Sequence, residues 1–315
     1  MFKNITLKLS RSLLKIVLPT IFKILIKFKL NRRVINFLND KSYSSNDYHN
    51  FTKVIQNILD DKKIIALDVG AQGGFNSDKF FPSKYNIFFD DILIEPIKSE
   101  AEKMNNKKYT INKGLWSKKE KKNLYILENR LGSSSMYEPN KKKFDIHGIK
   151  KEHYKDYDVT KTIEVECDTI SNMLSGLNIK NLDYLKVDTQ GAELEILNGI
   201  GNYRPLLIKI ETHIFSMYSN VPSWHKLLNY LYELNYVAVD WKGIGKHNTR
   251  VPAEMDMILI PDFNNNDGKN LIINSKEKFI SLMLIFGQLN LLKIILKRFK
   301  IENEELEKFQ DLYFN

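Results

Sequence analysis

The sequence holds a single cysteine, Cys167, so it has no intramolecular disulfide framework and no CxxC metal or redox site. That usage leads to the expectation of a cytoplasmic protein in a reducing compartment. No uncharged apolar stretch approaches the ~20 residues needed to cross a bilayer. A cleaved leader is not expected either, because Lys15 and Lys23 interrupt the N-terminal apolar region and no small-residue cleavage site follows. Acidic residues are missing until Asp40, whereas nine basic residues lie between Met1 and Arg33. Setting those nine aside leaves 39 of the 48 basic residues against 38 acidic ones, so the body of the chain is nearly neutral and the net charge of +10 sits almost wholly in one arm. A nucleic-acid reader would carry its basic stripe on the folded domain, so polynucleotide binding is not expected. Internal repeats and long low-complexity tracts are absent too. What remains is 315 residues with 43% hydrophobic and 27% charged, enough for one full-sized core with appendages.

Three segments differ in composition. Residues 1–55 read as a basic amphipathic helical extension, in which Lys8, Arg11 and Lys15 share one helical stripe and Pro19 interrupts the helix. Such an arm suits peripheral contact with an anionic inner membrane face, or packing on the main domain as a helical lid. Residues 56–262 form the expected α/β domain. Residues 263–315 form a helical C-terminal extension that opens on a turn-rich break, Asn264 to Asn270, and divides at Gly287. Its apolar side is suited to the arm, to the sheet or to a homodimer contact.

Within the middle segment, short apolar runs alternate with helical spacing. Strand candidates are Ile64 to Leu67, Asn86 to Pro96, Lys108 to Trp116, Asp183 to Thr189, Pro205 to Thr212, Tyr236 to Trp241 and Met255 to Pro261. Helices are expected over Asn76 to Phe81, Ala192 to Gly201 and Ser223 to Asn235. This order implies an open, mostly parallel sheet with short crossovers, in which ligands bind beyond the carboxyl ends of the strands.

The residues at those ends are the candidate site. Asp68 closes the first strand, and Gly70, Ala71, Gln72, Gly73 and Gly74 form a turn that lets backbone approach a ligand. Their spacing is G-x-x-G-G, which is neither the dinucleotide fingerprint nor a Walker loop and so disfavours a nicotinamide-dependent oxidoreductase. Glu95, followed by Pro96, ends the second strand some 25 residues further on, where a carboxylate accepts from both hydroxyls of a ribose. Asn112 to Trp116, with Gly114 and Leu115, marks a place for an adenine, with Trp116 alternatively in the core. Period-two alternation puts Lys186 with Asp188, and Lys209 with Glu211, on one side of their strands, where they must pair or face a polar cleft. Asp188, Glu211 and His213 are the candidate bases for an acceptor hydroxyl. The same three could collect a divalent cation, but no fixed ligand spacing demands one and no metal site is assigned. Leu131 to Met136 and Lys141 to Asp158 read as a cover over the cleft or as a surface linker, and Cys167 as a small buried hydrophobe.

The stretches DVGAQGG, ILIEP, NKGLWSKKEKKNLYI, VECDTI and, most specifically, Asp188 to Gly199 (DTQGAELEILNG) resemble the FkbM-type S-adenosylmethionine-dependent methyltransferases, over about Ile64 to Pro261. Gln72 stands where that family commonly has Asn, and Thr189-Gln190 where Val-Glu is frequent. The resemblance implies a Rossmann-like class I sheet of seven mostly parallel strands, with S-adenosyl-L-methionine as cofactor. It also implies that Asp68 to Gly73 holds the cofactor's methionine part and Glu95 its ribose. The acceptor it implies is a hydroxyl, on a sugar in surface-glycan or secondary-metabolite biosynthesis. A non-catalytic membrane-surface scaffold on an inert α/β core is the competing non-enzyme reading.

Overall fold

The computed structural model describes residues 50–74, 83–104, 109–242 and 253–307, together with Ile24. The basic arm and the helix expected over Asn76 to Phe81 lie outside the described residues, apart from the arm's last few positions. Among the described residues no helix is long and apolar enough to cross a membrane.

Helix α1 (Thr52–Leu59) leads into β1 (Ile64–Val69), and β2 (Phe89–Ile94), α2 (Lys98–Glu102) and β3 (Tyr109–Ile111) follow. A small group comes next, with β4 (Gly114–Leu115), β5 (Glu120–Ile126) and β6 (Lys161–Asp168). After α3 (Ile170–Gly176) the main sheet resumes with β7 (Tyr184–Val187), α4 (Glu193–Asn198), β8 (Leu207–His213), α5 (Trp224–Glu233), β9 (Tyr236–Lys242) and β10 (Glu254–Pro261). The chain then continues through α6 (Asn266–Asn274), α7 (Lys276–Ile285), α8 (Leu289–Phe299) and α9 (Glu304–Glu307).

Seven strands form the main sheet in the order β3-β2-β1-β7-β8-β10-β9. All neighbours are parallel except β10, which runs antiparallel to both β8 and β9. This is the expected open sheet, and strand order reverses between β1 and β7. The span Lys108 to Trp116 is not one strand. It splits into β3 on the main sheet and β4, which joins β6 and β5 in a separate three-stranded sheet.

Both faces of the main sheet are covered, which is why its inner strands read as apolar runs rather than as alternation. Ile64 and Ala66 of β1, Tyr184 of β7, and Ile258 and Ile260 of β10 pack against α1, α7 and α8. Leu67, Val69, Leu185, Val187, Ile208 and Ile210 point the other way, into the core with α3, α4 and α5. Lys278 of α7 reaches Asp183 at 2.6 Å, and the same carboxylate oxygen accepts from the Ile65 amide at 2.8 Å. The last helices are therefore fastened to the end of the sheet at which the central strand β7 begins.

The expected break at Asn264 to Asn270 holds only for its first two residues, which lie in a turn, and from Asn266 onward it is the start of α6. The Asn265 side chain accepts from the Gly268 amide at 2.8 Å, satisfying one of the first-turn amides that a helix leaves open. Gly287 does divide the C-terminal helices, at a φ of +74°.

Candidate active site

The sheet face that packs on α1, α7 and α8 changes character along its length. On β1 the series is Ile64, Ala66, Asp68; on β7, Tyr184, Lys186; on β8, Leu207, Lys209, Glu211, His213. Register carries these residues into cross-strand rows. Asp68 is level with Lys186, Lys186 with Lys209, Glu211 with Asp256, and His213 with Glu254. Asp188, the residue after β7, remains tied to β1 through its amide, which donates to the Val69 carbonyl at 3.1 Å. Period two, with parallel pairing of β1, β7 and β8 and antiparallel pairing of β10, thus gathers charges from four strands at one end of one face.

Charge balance in these rows is uneven. Lys186 donates to Asp68 at 2.9 Å and lies 3.9 Å from Asp188, while Lys209 lies 3.8 Å from Asp256. Among the described residues of these rows, two lysines face five carboxylates: Asp68, Asp188, Glu211, Glu254 and Asp256. Burial among them, with Asp188, Glu254, Asp256 and Glu193 nearby, pushes the Glu211 carboxyl well above its ordinary range.

A cleft of about 420 Å³ opens at this end, within the range of small-molecule sites. Its lining includes Gly70, Gln72, Glu95, Pro96, Lys113, Gly114 and Leu115 on one side. On the other side it includes Asp188, Thr189, Gln190, Glu211, Glu254 and Asp256. Leu131, Gly132, Ser134 and Met136 complete it. Gly70 holds a φ of +77°, and a Cβ there would sit 2.0 Å from the Asp188 carbonyl oxygen, so no other residue lets the first loop pass β7 so closely. The Gln72 amide donates to Glu100 at 3.2 Å. Glu95 is buried and accepts from the Ile97 amide at 2.8 Å. Burial first, and then the nearby Glu100 and Asp68 carboxylates, push its carboxyl up to about 7 against the backbone bond and Lys186. Asn112 donates to the carbonyls of Glu95 and Pro96, both at 2.9 Å, which fixes the strand end that presents this carboxylate.

Of the expected site residues, Gly70, Gln72, Glu95, Pro96, Gly114, Leu115, Asp188 and Glu211 share the cleft. Asp68, Ala71, Gly73 and His213 are not in its lining. Asp68 is fully buried against Lys186, Ala71 packs with Leu93 and Met104, and Gly73 shapes the turn at a φ of +77°. His213 is buried at the end of β8 rather than on a loop, with its Nε2 3.6 Å from Glu211 Oε2. Trp116 is a core residue beside Tyr137, covered by Lys122. Cys167 is buried, which pushes its thiol up to about 11 and leaves it inert.

Gln190 connects the pieces and escaped assignment from sequence. It sits in the left-handed region at φ +60°, and its amide nitrogen donates to Glu211 at 2.5 Å and to Asp188 at 3.3 Å. Its amide oxygen is 3.0 Å from the Tyr218 hydroxyl, whose single proton is shared with the Ser133 carbonyl at 2.7 Å. Its backbone carbonyl accepts from the buried Ser135 hydroxyl at 2.8 Å. The loop below is held by Glu193, one oxygen of which accepts from the amides of Thr189 and Gly191 and from the Thr189 hydroxyl. Leu131 to Met136 therefore covers the cleft and is bonded to its base. The stretch from Lys141 to Asp158 instead builds a small core of its own, Phe144 and Tyr157 with Leu127, Met217 and Tyr218.

Residues 68–238, a little over half of the chain, match the family described as the Methyltransferase FkbM domain. No curated protein matches the sequence. Among solved structures, the chain is similar to the crystal structure of methyltransferase FkbM from Methylobacillus flagellatus KT, with 13% identity and a TM-score of 0.36. That similarity covers 62% of this chain and 43% of the other, so this chain spans less than half of that protein's length.

Proposed function

The chain belongs to the FkbM methyltransferase domain family, and on that premise we propose that it transfers the methyl group of S-adenosylmethionine to a hydroxyl of a saccharide. The observation that carries this reading is the pairing, in one cleft, of a ribose-type carboxylate, Glu95, and a close-passing glycine loop with a wall rich in negative charge. The donor set fits the group: Glu95 spends one bond on the Ile97 amide and keeps acceptor capacity for ribose hydroxyls, and excess carboxylate suits a sulfonium. Gly70, Gln72, Glu95, Pro96, Gly114 and Leu115 would hold it. When bound, S-adenosylmethionine supplies a methyl group activated by positively charged sulfur.

The residues of the chain do the remaining work. Asp188 is more open than Glu211 or Asp256, with its side chain 36% exposed against 14% and 17%. It takes the role of accepting the acceptor's proton. Gln190 sets the mutual orientation of Asp188 and Glu211, and the loop Leu131 to Met136 limits water. Holding the two reactants in line is worth up to about 7–11 kcal/mol of the barrier, more than a single proton acceptor contributes.

Calorimetric titration with S-adenosylmethionine and with NADH tests the cofactor, and only the first should bind. Glu95→Ala should remove that binding with the fold intact. A mass gain of one methylene on a glycan incubated with protein and cofactor tests the reaction. Binding of NADH alone would refute it.

A further inference from the structure

We propose that Glu211, His213 and Glu254 form a binding site for one divalent first-row transition cation. Register creates the constellation: His213 of β8 is directly opposite Glu254 of β10, and Glu211 lies two residues back on the same face. One ligand atom from each lies within 4.8 Å of the others. A metal at ~2.1 Å from each ligand needs separations of roughly 3–3.5 Å, a contraction that rotation of the two glutamate side chains supplies.

The second observation is the histidine itself. Its side chain is 1% exposed, and neither ring nitrogen has a hydrogen-bond partner. Buried polar atoms are nearly always satisfied. Here Nε2 points toward the Glu211 carboxylate at 3.6 Å, while the ring packs edge-on against Tyr218, with centroids 5.8 Å apart. A ligand between the carboxylates and the imidazole satisfies it. A cation there also offsets the repulsion among Glu211, Glu254, Asp188 and Asp256, since the nearest lysines are engaged with Asp68 and Asp256. Two carboxylates with one imidazole suit manganese, iron, cobalt or zinc better than calcium, which favours oxygen alone.

Glu211 and Glu254 line the cleft, so the remaining coordination positions face it. The cation would then hold an oxygen of the acceptor beside the methyl donor. That role rests on the methyl-transfer reading above, whereas the existence of the site does not.

The full chain, stripped with chelator and dialysed, is titrated with Mn²⁺ while the paramagnetic resonance signal of the free ion is followed. One ion per chain is expected, displaced by Zn²⁺. His213→Ala and Glu254→Gln should each weaken binding by about tenfold or more, and Glu166→Gln, an exposed acid on β6, should leave it unchanged. Circular dichroism reports folding; if the histidine variant fails to fold, the partly exposed Glu254 still decides the outcome. No saturable binding, or wild-type binding by folded Glu254→Gln, overturns the site. A parallel S-adenosylmethionine titration separates the proposals. Sulfonium binding without cation binding removes only the metal site, and cation binding without sulfonium binding supports the site and removes its role in methyl transfer.

Discussion

Replacing Glu95 with glutamine should make the unliganded protein more stable and leave it unable to bind its cofactor. The folded carboxyl titrates near 7 against 4.5 for an ordinary glutamate, chiefly because it is buried. Between those values the folded protein holds a proton that the unfolded chain has lost. Stability from this group is therefore complete below about 4.5, falls as pH rises to 7, and is flat above. The gap of about 2.5 pH units at 1.36 kcal/mol each is at most about 3 kcal/mol. The substituted amide would keep an oxygen for the Ile97 amide and carry no charge, so the variant should gain up to that amount over the wild type at pH 8 and almost nothing at pH 4.5. Urea unfolding of both proteins across this range measures the difference directly. On the proposed role of the ionised Glu95 carboxylate as acceptor for the ribose hydroxyls, wild-type affinity for S-adenosylmethionine should fall about tenfold per unit below pH 7. Parallel stability profiles, or a variant that binds S-adenosylmethionine like the wild type, would refute the reasoning.

Gly70→Ala places a methyl 2.0 Å from the Asp188 carbonyl at a φ of +77°, so calorimetry should show cofactor binding lost, and denaturant unfolding a cost of about 1–3 kcal/mol or more. Lys186→Met removes the 2.9 Å ion pair to the buried Asp68, and chemical denaturation should report a loss of up to about 3–5 kcal/mol. Gln190→Ala frees Asp188 and Glu211 from each other. Transfer of labelled methyl to a glycan acceptor should drop by about 10²-fold, while the Kd for S-adenosylmethionine stays within a factor of about two.

The main sheet was legible because strands covered on both faces appear as apolar runs, and the charged residues closing them, Glu95, Asp188 and Glu211, stand out against that background. Strands β5 and β6 were passed over although the signal was present. Ile163, Val165 and Cys167 alternate with Thr162, Glu164 and Glu166, the mark of a strand with one wet face. Helix α6 was read as a break because asparagines and a glycine favour turns, and here the same asparagine caps a helix. Glu254 and Asp256 drew no notice, since they precede an apolar run. Only antiparallel register brings them beside His213 and Glu211. The bridging role of Gln190 depends on Tyr218, 28 positions away, and no local pattern announces such a contact.

The helices at the end of the chain limit how far the protein can be shortened. Phe279, Leu282 and Phe286, with Leu292 and Ile295 of the next helix, cover Ile64, Ala66 and Tyr184 on the half of the sheet face that carries no charge. Trimming after Pro261, a tempting endpoint for recombinant expression, would bare that greasy half to water and release Asp183 from Lys278. A shortened fragment should therefore keep the chain through at least Leu306, which is buried in the same cluster.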